Sequence, residues 1–293
     1  MKLFERLNIT SAGSAASVTL HEYLSNRSVA LLFPPTRGSL REIGSGVCIQ
    51  IGSLHLVATV AHNVRRLETS DVEVIPAGDR SAKPLRVRRI GWRASIERVD
   101  VDVAWLELDP EECKKSRILF HKLDELRALA REEEVHACFL QGYPAATVEV
   151  PTRPGERLLV ESDGFLTLSI PASRRRGTHQ PSVDIAVEYP PHDGSLDGKG
   201  LPPPPGVSGG GLWLFPRLDD HVVWAPDRAR LVGLGRGWWE PYKEFVATRI
   251  ERWLDLVAKD HPAVRAEVDT FLRANDPPNT ASQPAPKQGA AER

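Results

Sequence analysis

Residues 205–213, PGVSGGGLW, set Ser208 among Gly206, Gly209, Gly210 and Gly211, directly after the prolines 202–205. Each glycine costs roughly 0.5–1 kcal/mol of backbone entropy. A loop this bare either makes a tight turn between strands or presents a nucleophile beside unobstructed N–H groups, as acyl transfer requires. A serine hydroxyl used that way needs an imidazole to take its proton and a carboxylate to orient the imidazole. Of the nine histidines, His62 stands out because it ends the apolar run LVATVA and is followed by the polar Asn63. For the carboxylate, RVDVDVAWLEL offers Asp102, which interrupts an apolar alternation and would need hydrogen bonds to be buried there. Asp100 has the same strand parity, so periodicity leaves both open. Asp184, in VDIAVEY, is a further candidate.

The elements that must position these residues read mainly as short strands. VALLF (29–33), GVCIQI (46–51), LHLVATV (54–60), VEVI (72–75) and VDVAWLEL (101–108) precede a helical stretch at 123–132. Strands resume with VHACFLQGYP, TVEV, RLLVE, FLTLSI and VDIAVEY, and LWLF and ARLVGLG follow the serine loop. Many short strands in two groups argue for an all-β protein of two barrels or sandwiches, with the junction near 110–135 and the body spanning 28–260. Residues 1–27 read as a polar N-terminal extension with a short helix at Val18–Leu24. At the other end, 242–260 carries Phe245, Val246, Ile250, Trp253, Leu254 and Val257 at helical spacing. A short helix is expected within 261–275, and the proline-rich 276–293 is expected to be disordered.

Composition narrows the function classes. A net charge of −1 over 293 residues gives no electrostatic reason for a nucleic-acid or anionic-membrane partner. The run Arg174–Arg176 reads as a solvated loop. Three cysteines are no disulfide framework, and the chain shows neither a signal-peptide core nor an apolar run of membrane-spanning length. A cytoplasmic location follows as the expectation, and the excess of arginine over lysine, with plentiful alanine and proline, is that of a GC-rich bacterial genome. No HExxH, CxxC pair or histidine cluster supports a metal. GLGRG lacks the βαβ context of a dinucleotide loop, so no cofactor is expected.

The blocks GSGVCIQIGSLHLVATVAHNV, VDVAWLEL and GVSGGGLW, followed by ARLVGLG, resemble the histidine, aspartate and serine blocks of the trypsin-like serine protease family of the chymotrypsin fold. They occur in the family's order, with 40 residues from His62 to Asp102 and 106 from Asp102 to Ser208. The resemblance implies two six-stranded β-barrels with a C-terminal α-helical extension. It selects Asp102 over Asp100, and over Asp184, which lies only 24 residues before the serine. It implies a serine endopeptidase acting on protein or peptide substrates, with His62, Asp102 and Ser208 as the triad and the N–H groups of Gly206 and Ser208 as the oxyanion hole.

The chain also departs from the family. Val207 replaces the acid that pairs with a freshly cut N-terminus, so activation is expected without cleavage. Asn63 stands where secreted members form a disulfide. The segments expected to wall the specificity pocket, 198–205 and 233–239, match no usual pattern. Arg236 there could receive an acidic side chain or point to solvent. The alternative reading is a catalytically silent or partner-gated protease-fold module that binds a regulatory protein.

Overall fold

Alternation along the strands divides the apolar residues into two barrel interiors and the seam between them. The computed structural model describes residues 11–34, 42–76, 83–96, 99–116, 118–129, 134–149, 159–176, 179–189, 204–215 and 224–275. The first sheet contains β1 (Ser28–Phe33), β2 (Glu42–Ile51), β3 (Leu54–Thr59), β4 (Glu73–Pro76), β5 (Val87–Ile96) and β6 (Val99–Leu108), in the order β4-β1-β2-β3-β6-β5. It closes where Leu85, just before β5, donates its N–H to Val74 on β4 at 2.8 Å.

The second sheet contains β7 (Ala137–Gly142), β10 (Asp163–Leu168), β11 (Asp184–Glu188), β12 (Gly211–Leu214), β13 (Arg230–Trp239) and β14 (Glu244–Arg249), in the order β10-β7-β12-β13-β14-β11. It closes through the Ser169–Val187 bridge and the Ile170 N–H to Ala186 carbonyl bond of 2.8 Å. A separate ribbon joins β8 (Val148–Glu149) to β9 (Leu159–Val160). Two six-stranded barrels with a C-terminal helical extension are the architecture the sequence led us to expect.

Because successive side chains alternate, Cys48, Val57, Ala104 and Leu106 fill the first barrel, whereas Leu140, Ile185, Leu212, Phe245 and Ala247 fill the second. The opposite faces of the same strands supply Val47, Ile49, Val103, Trp105, Phe139 and Trp213 to the seam. Two helices complete it: α1 (Ser11–Ser25) contributes Ala16, Leu20 and Leu24 at four-residue spacing, and α4 (Ile250–Asp260) contributes Trp253, Leu254 and Val257. Between them in sequence lie α2 (Ala61–Val64) and α3 (Pro110–Ser116), and α5 (Arg265–Asn275) follows α4. Among the described residues no helix is long and apolar enough to cross a membrane.

Several expected elements are corrected. The helix expected at 123–132 is a single turn at Leu123–Glu125, after which Leu126 bridges Leu231 and the Arg127 N–H donates to its carbonyl. The helix expected to start at 242 begins only at Ile250, because 244–249 is the sixth strand of the second barrel. β5 and α3 carry no expectation from sequence. The N-terminal helix is longer than Val18–Leu24. The expected tail, 276–293, lies outside the described residues.

Candidate active site

His62 and Asp102 meet because β3 and β6 are neighbours. Thr59, the last residue of β3, pairs with Ala104, and the chain then turns directly into α2. This brings the His62 N–H to Asp102 Oδ1 at 2.9 Å and its ring Nδ1 to Asp102 Oδ2 at 2.6 Å. A carboxylate on Nδ1 fixes the imidazole orientation and leaves Nε2 as the basic nitrogen. The His62 side chain is 39% exposed and that of Asp102 12%, so the ring is open to an incoming molecule while its partner is shielded.

β6 reaches this geometry by breaking its own regularity. Arg93 pairs with Val103 and Ser95 with Asp100, three steps on β6 against two on β5. Within this bulge Asp102 has φ +46°, the left-handed region that residues with a Cβ rarely enter. The extra residue undoes the parity shared by the two aspartates: Asp100 is 78% exposed and pairs with neither His62 nitrogen. Of the two aspartates that periodicity left open, it is Asp102 whose carboxylate bonds His62.

Two successive turns shape the loop, the first closed by Val207 N–H to the Pro204 carbonyl at 2.9 Å and the second, which holds Ser208, by Gly210 N–H to the Val207 carbonyl at 2.8 Å. Gly206 has φ +96°, and a Cβ there would lie 2.4 Å from the Tyr143 carbonyl oxygen. Gly209 has φ +88°, and a Cβ there would lie 2.0 Å from the Ser45 carbonyl oxygen. Both positions therefore exclude side chains by conformation and by contact.

The peptide directions within this loop follow from its bonded carbonyls. The Pro205 carbonyl accepts from Ala145 N–H at 2.8 Å, and the Val207 carbonyl is held by Gly210. In a trans peptide C=O and N–H point oppositely, so the N–H groups of Gly206 and Ser208 turn away from these partners. Among the described residues neither makes a hydrogen bond. Ser208 Oγ donates to the Arg236 carbonyl at 3.4 Å and makes no hydrogen bond to His62 among the described residues.

Sequence reasoning missed two residues that anchor the loop. Ser45, fully buried on β2, donates its N–H to the Ser208 carbonyl at 2.8 Å and its Oγ to the Gly206 carbonyl at 2.7 Å. The same Oγ accepts from Tyr143 N–H at 2.7 Å, and the Ser45 carbonyl accepts from Thr59 Oγ1 at 2.8 Å. Asn63 Nδ2, next to the candidate base, donates to the Ser208 carbonyl at 3.0 Å. A lone hydroxyl between Gly44 and Gly46, just ahead of the apolar run Val47–Ile49, was the available signal for Ser45.

Asp184 lies elsewhere, on β11, with both carboxylate oxygens 3.2 Å from Arg236 Nη2. Burial pushes its carboxyl above the usual range, opposed mainly by that guanidinium. Arg236 Nη1 also donates to the Asp100 carbonyl at 2.9 Å. Arg236 is thus committed within the protein, neither pointing to solvent nor left over for an acidic side chain. In the expected basic loop, Arg175 turns inward to donate to the carbonyls of Ile170 and Asp184. Of the two expected pocket walls, 233–239 belongs to β13, and most of 198–205 lies outside the described residues.

No protein-family model matches the sequence, and no curated protein matches it. Solved structures do. The Rv3671c protease of M. tuberculosis, in its active form, is 16% identical over 84% of this chain and 86% of that one, with a TM-score of 0.50. HL collagenase (15% identity, 82% and 94% coverage, TM-score 0.48) and the protease Anisep of Arthrobacter nicotinovorans (13%, 76% and 90%, TM-score 0.45) are also similar. At these identities the likeness concerns the fold. The chain has the two-barrel fold of the trypsin-like serine proteases.

Proposed function

We propose that the protein is a serine endopeptidase that hydrolyses peptide bonds of protein or peptide substrates. The observation that carries this reading is the 2.6 Å His62–Asp102 pair beside a serine loop in which two backbone N–H groups make no hydrogen bond among the described residues. Ser208 attacks the scissile carbonyl, His62 takes the hydroxyl proton and returns it to the leaving amine, and Asp102 stabilises the imidazolium. The N–H groups of Gly206 and Ser208 stabilise the developing oxyanion, a donor of this kind being worth about 2.7–4 kcal/mol. For that transfer the Ser208 hydroxyl must leave the Arg236 carbonyl for His62 Nε2; such bonds commonly tighten only when substrate is bound.

Val207 supports activation without N-terminal cleavage, since its side chain is buried in the apolar cluster of the second barrel and offers no charge to a new amino terminus. The cysteines Cys48, Cys113 and Cys138 are unpaired and buried, in keeping with work in a reducing, cytoplasmic compartment of a bacterial cell. The partner-gated reading is favoured by one observation, the engagement of Ser208 Oγ by Arg236 rather than His62. Incubating an unfolded protein substrate with wild type and with Ser208→Ala separates the two readings. Cleavage by wild type alone is expected for the endopeptidase, whereas a folded wild type that cleaves nothing on its own would transfer support to the gated module.

A further inference from the structure

Asp102 occupies a conformation that must be imposed on it. A left-handed residue with a Cβ persists only where its surroundings over-determine it, and the bonds from His62 hold the Asp102 carboxylate rather than its backbone. The two carbonyls that precede Asp102 are instead captured by side chains of the second barrel. Arg236 Nη1 donates to the Asp100 carbonyl at 2.9 Å, and Thr248 Oγ1 donates to the Val101 carbonyl at 2.9 Å.

Arg236 can reach across the seam because of its own bulge. Gly235 pairs with Ala247 and Gly237 with the adjacent Val246, so Arg236 is an extra residue whose side chain leaves the ladder. Its second nitrogen is held by Asp184, whose side chain is 2% exposed, and Asp184 is in turn fixed by Gln180 N–H at 3.0 Å. The carbonyl of Arg236 accepts from Ser208 Oγ. One residue therefore touches the nucleophile with its backbone and the strand of the acid with its side chain.

We infer that the Asp184–Arg236 pair is a positioning device: it clamps the Asp100–Asp102 bulge of the first barrel to the second, and so holds Asp102 against His62. The inference rests on the protease reading for its catalytic consequence but not for its structural one. Asp184 acts through Arg236 and touches no reacting atom. Lysine at 236 would keep the charge opposite Asp184 without the planar fork that reaches two acceptors at once.

The test uses the full chain as wild type, Asp184→Asn and Arg236→Lys, with folding checked by circular dichroism and amide NMR spectra. Two quantities are read: the downfield proton resonance of the short His62 Nδ1–H···Asp102 bond, and the rate of labelling by a fluorophosphonate per folded molecule. In folded Asp184→Asn the resonance is expected to weaken or shift, and labelling to slow by about ten- to a hundredfold, the scale of a small misplacement of a catalytic group. Arg236→Lys is expected to change both in the same direction, and it carries the test alone if Asp184→Asn does not fold. A folded variant that keeps the resonance and the wild-type rate overturns the inference. If wild type does not label yet the resonance responds to the substitutions, the protease reading fails while the clamp stands.

Discussion

Asp102 and Ser208 are both held by groups far away in the sequence, and this decides which substitutions matter. Ser208→Ala and His62→Ala are each expected to lower kcat by about six orders of magnitude, and Asp102→Asn by about four, measured as steady-state peptide hydrolysis. Ser45→Ala tests the anchor of the loop. It would leave the Gly206 carbonyl and the Tyr143 N–H without the partner they share, costing about 1–3 kcal/mol per buried unsatisfied group. A fall in unfolding free energy of that size in urea, together with slower acylation, is the expected result. His62 and Ser208 stand out in the chain as candidates because each has its signal in adjacent residues, a strand end and a glycine loop. Asp102 could not be separated from Asp100 by period, since the extra residue of the β6 bulge that distinguishes them shows only in its pairing with β5. Ser45 was hidden because its Oγ partners lie 161 and 98 residues away.

At the scale of elements, legibility followed burial. Most strands of both barrels announced themselves as short apolar runs. β14 did not, because both its faces are covered: Phe245 and Ala247 fill the barrel while Val246 and Thr248 are buried on the opposite side. Phe245 and Val246 fall into step with Ile250, Trp253, Leu254 and Val257 of the amphipathic helix that follows, one pattern that the helical period absorbs. β5 failed in the opposite sense, since Arg88, Arg89 and Arg93 interrupt its apolar residues. The N-terminal helix, read as an extension, buries Leu20 and Leu24 completely in the seam. Leu24→Ala is therefore expected to cost about 2–5 kcal/mol in chemical denaturation, the range for a buried leucine. A loss below 0.5 kcal/mol would mean that α1 is not part of the folded body.

Over the whole molecule, the two barrels are tied by more than their apolar seam. The connection between them carries the buried His121, whose Nδ1 lies 3.2 Å from Glu125 Oε1, and Tyr23 of α1 donates to the same oxygen at 2.8 Å. Burial alone would raise the Glu125 carboxyl, but the hydrogen bonds from His121, Lys122 N–H and Tyr23 outweigh it and hold it at about 2. Lowered from an ordinary value of 4.5, this group contributes stability that is present above about pH 4.5 and is lost as pH falls toward 2. Glu125→Gln should accordingly lower Tm at pH 7 and flatten the decline of Tm across that acid window. The central claim, an activated serine at the seam of the two barrels, is tested most directly by treating the native full chain with a fluorophosphonate and mapping the adduct by mass spectrometry. A single adduct on Ser208, abolished by His62→Ala, is the predicted result. A folded chain that takes no adduct, or takes it on another residue, would contradict the claim.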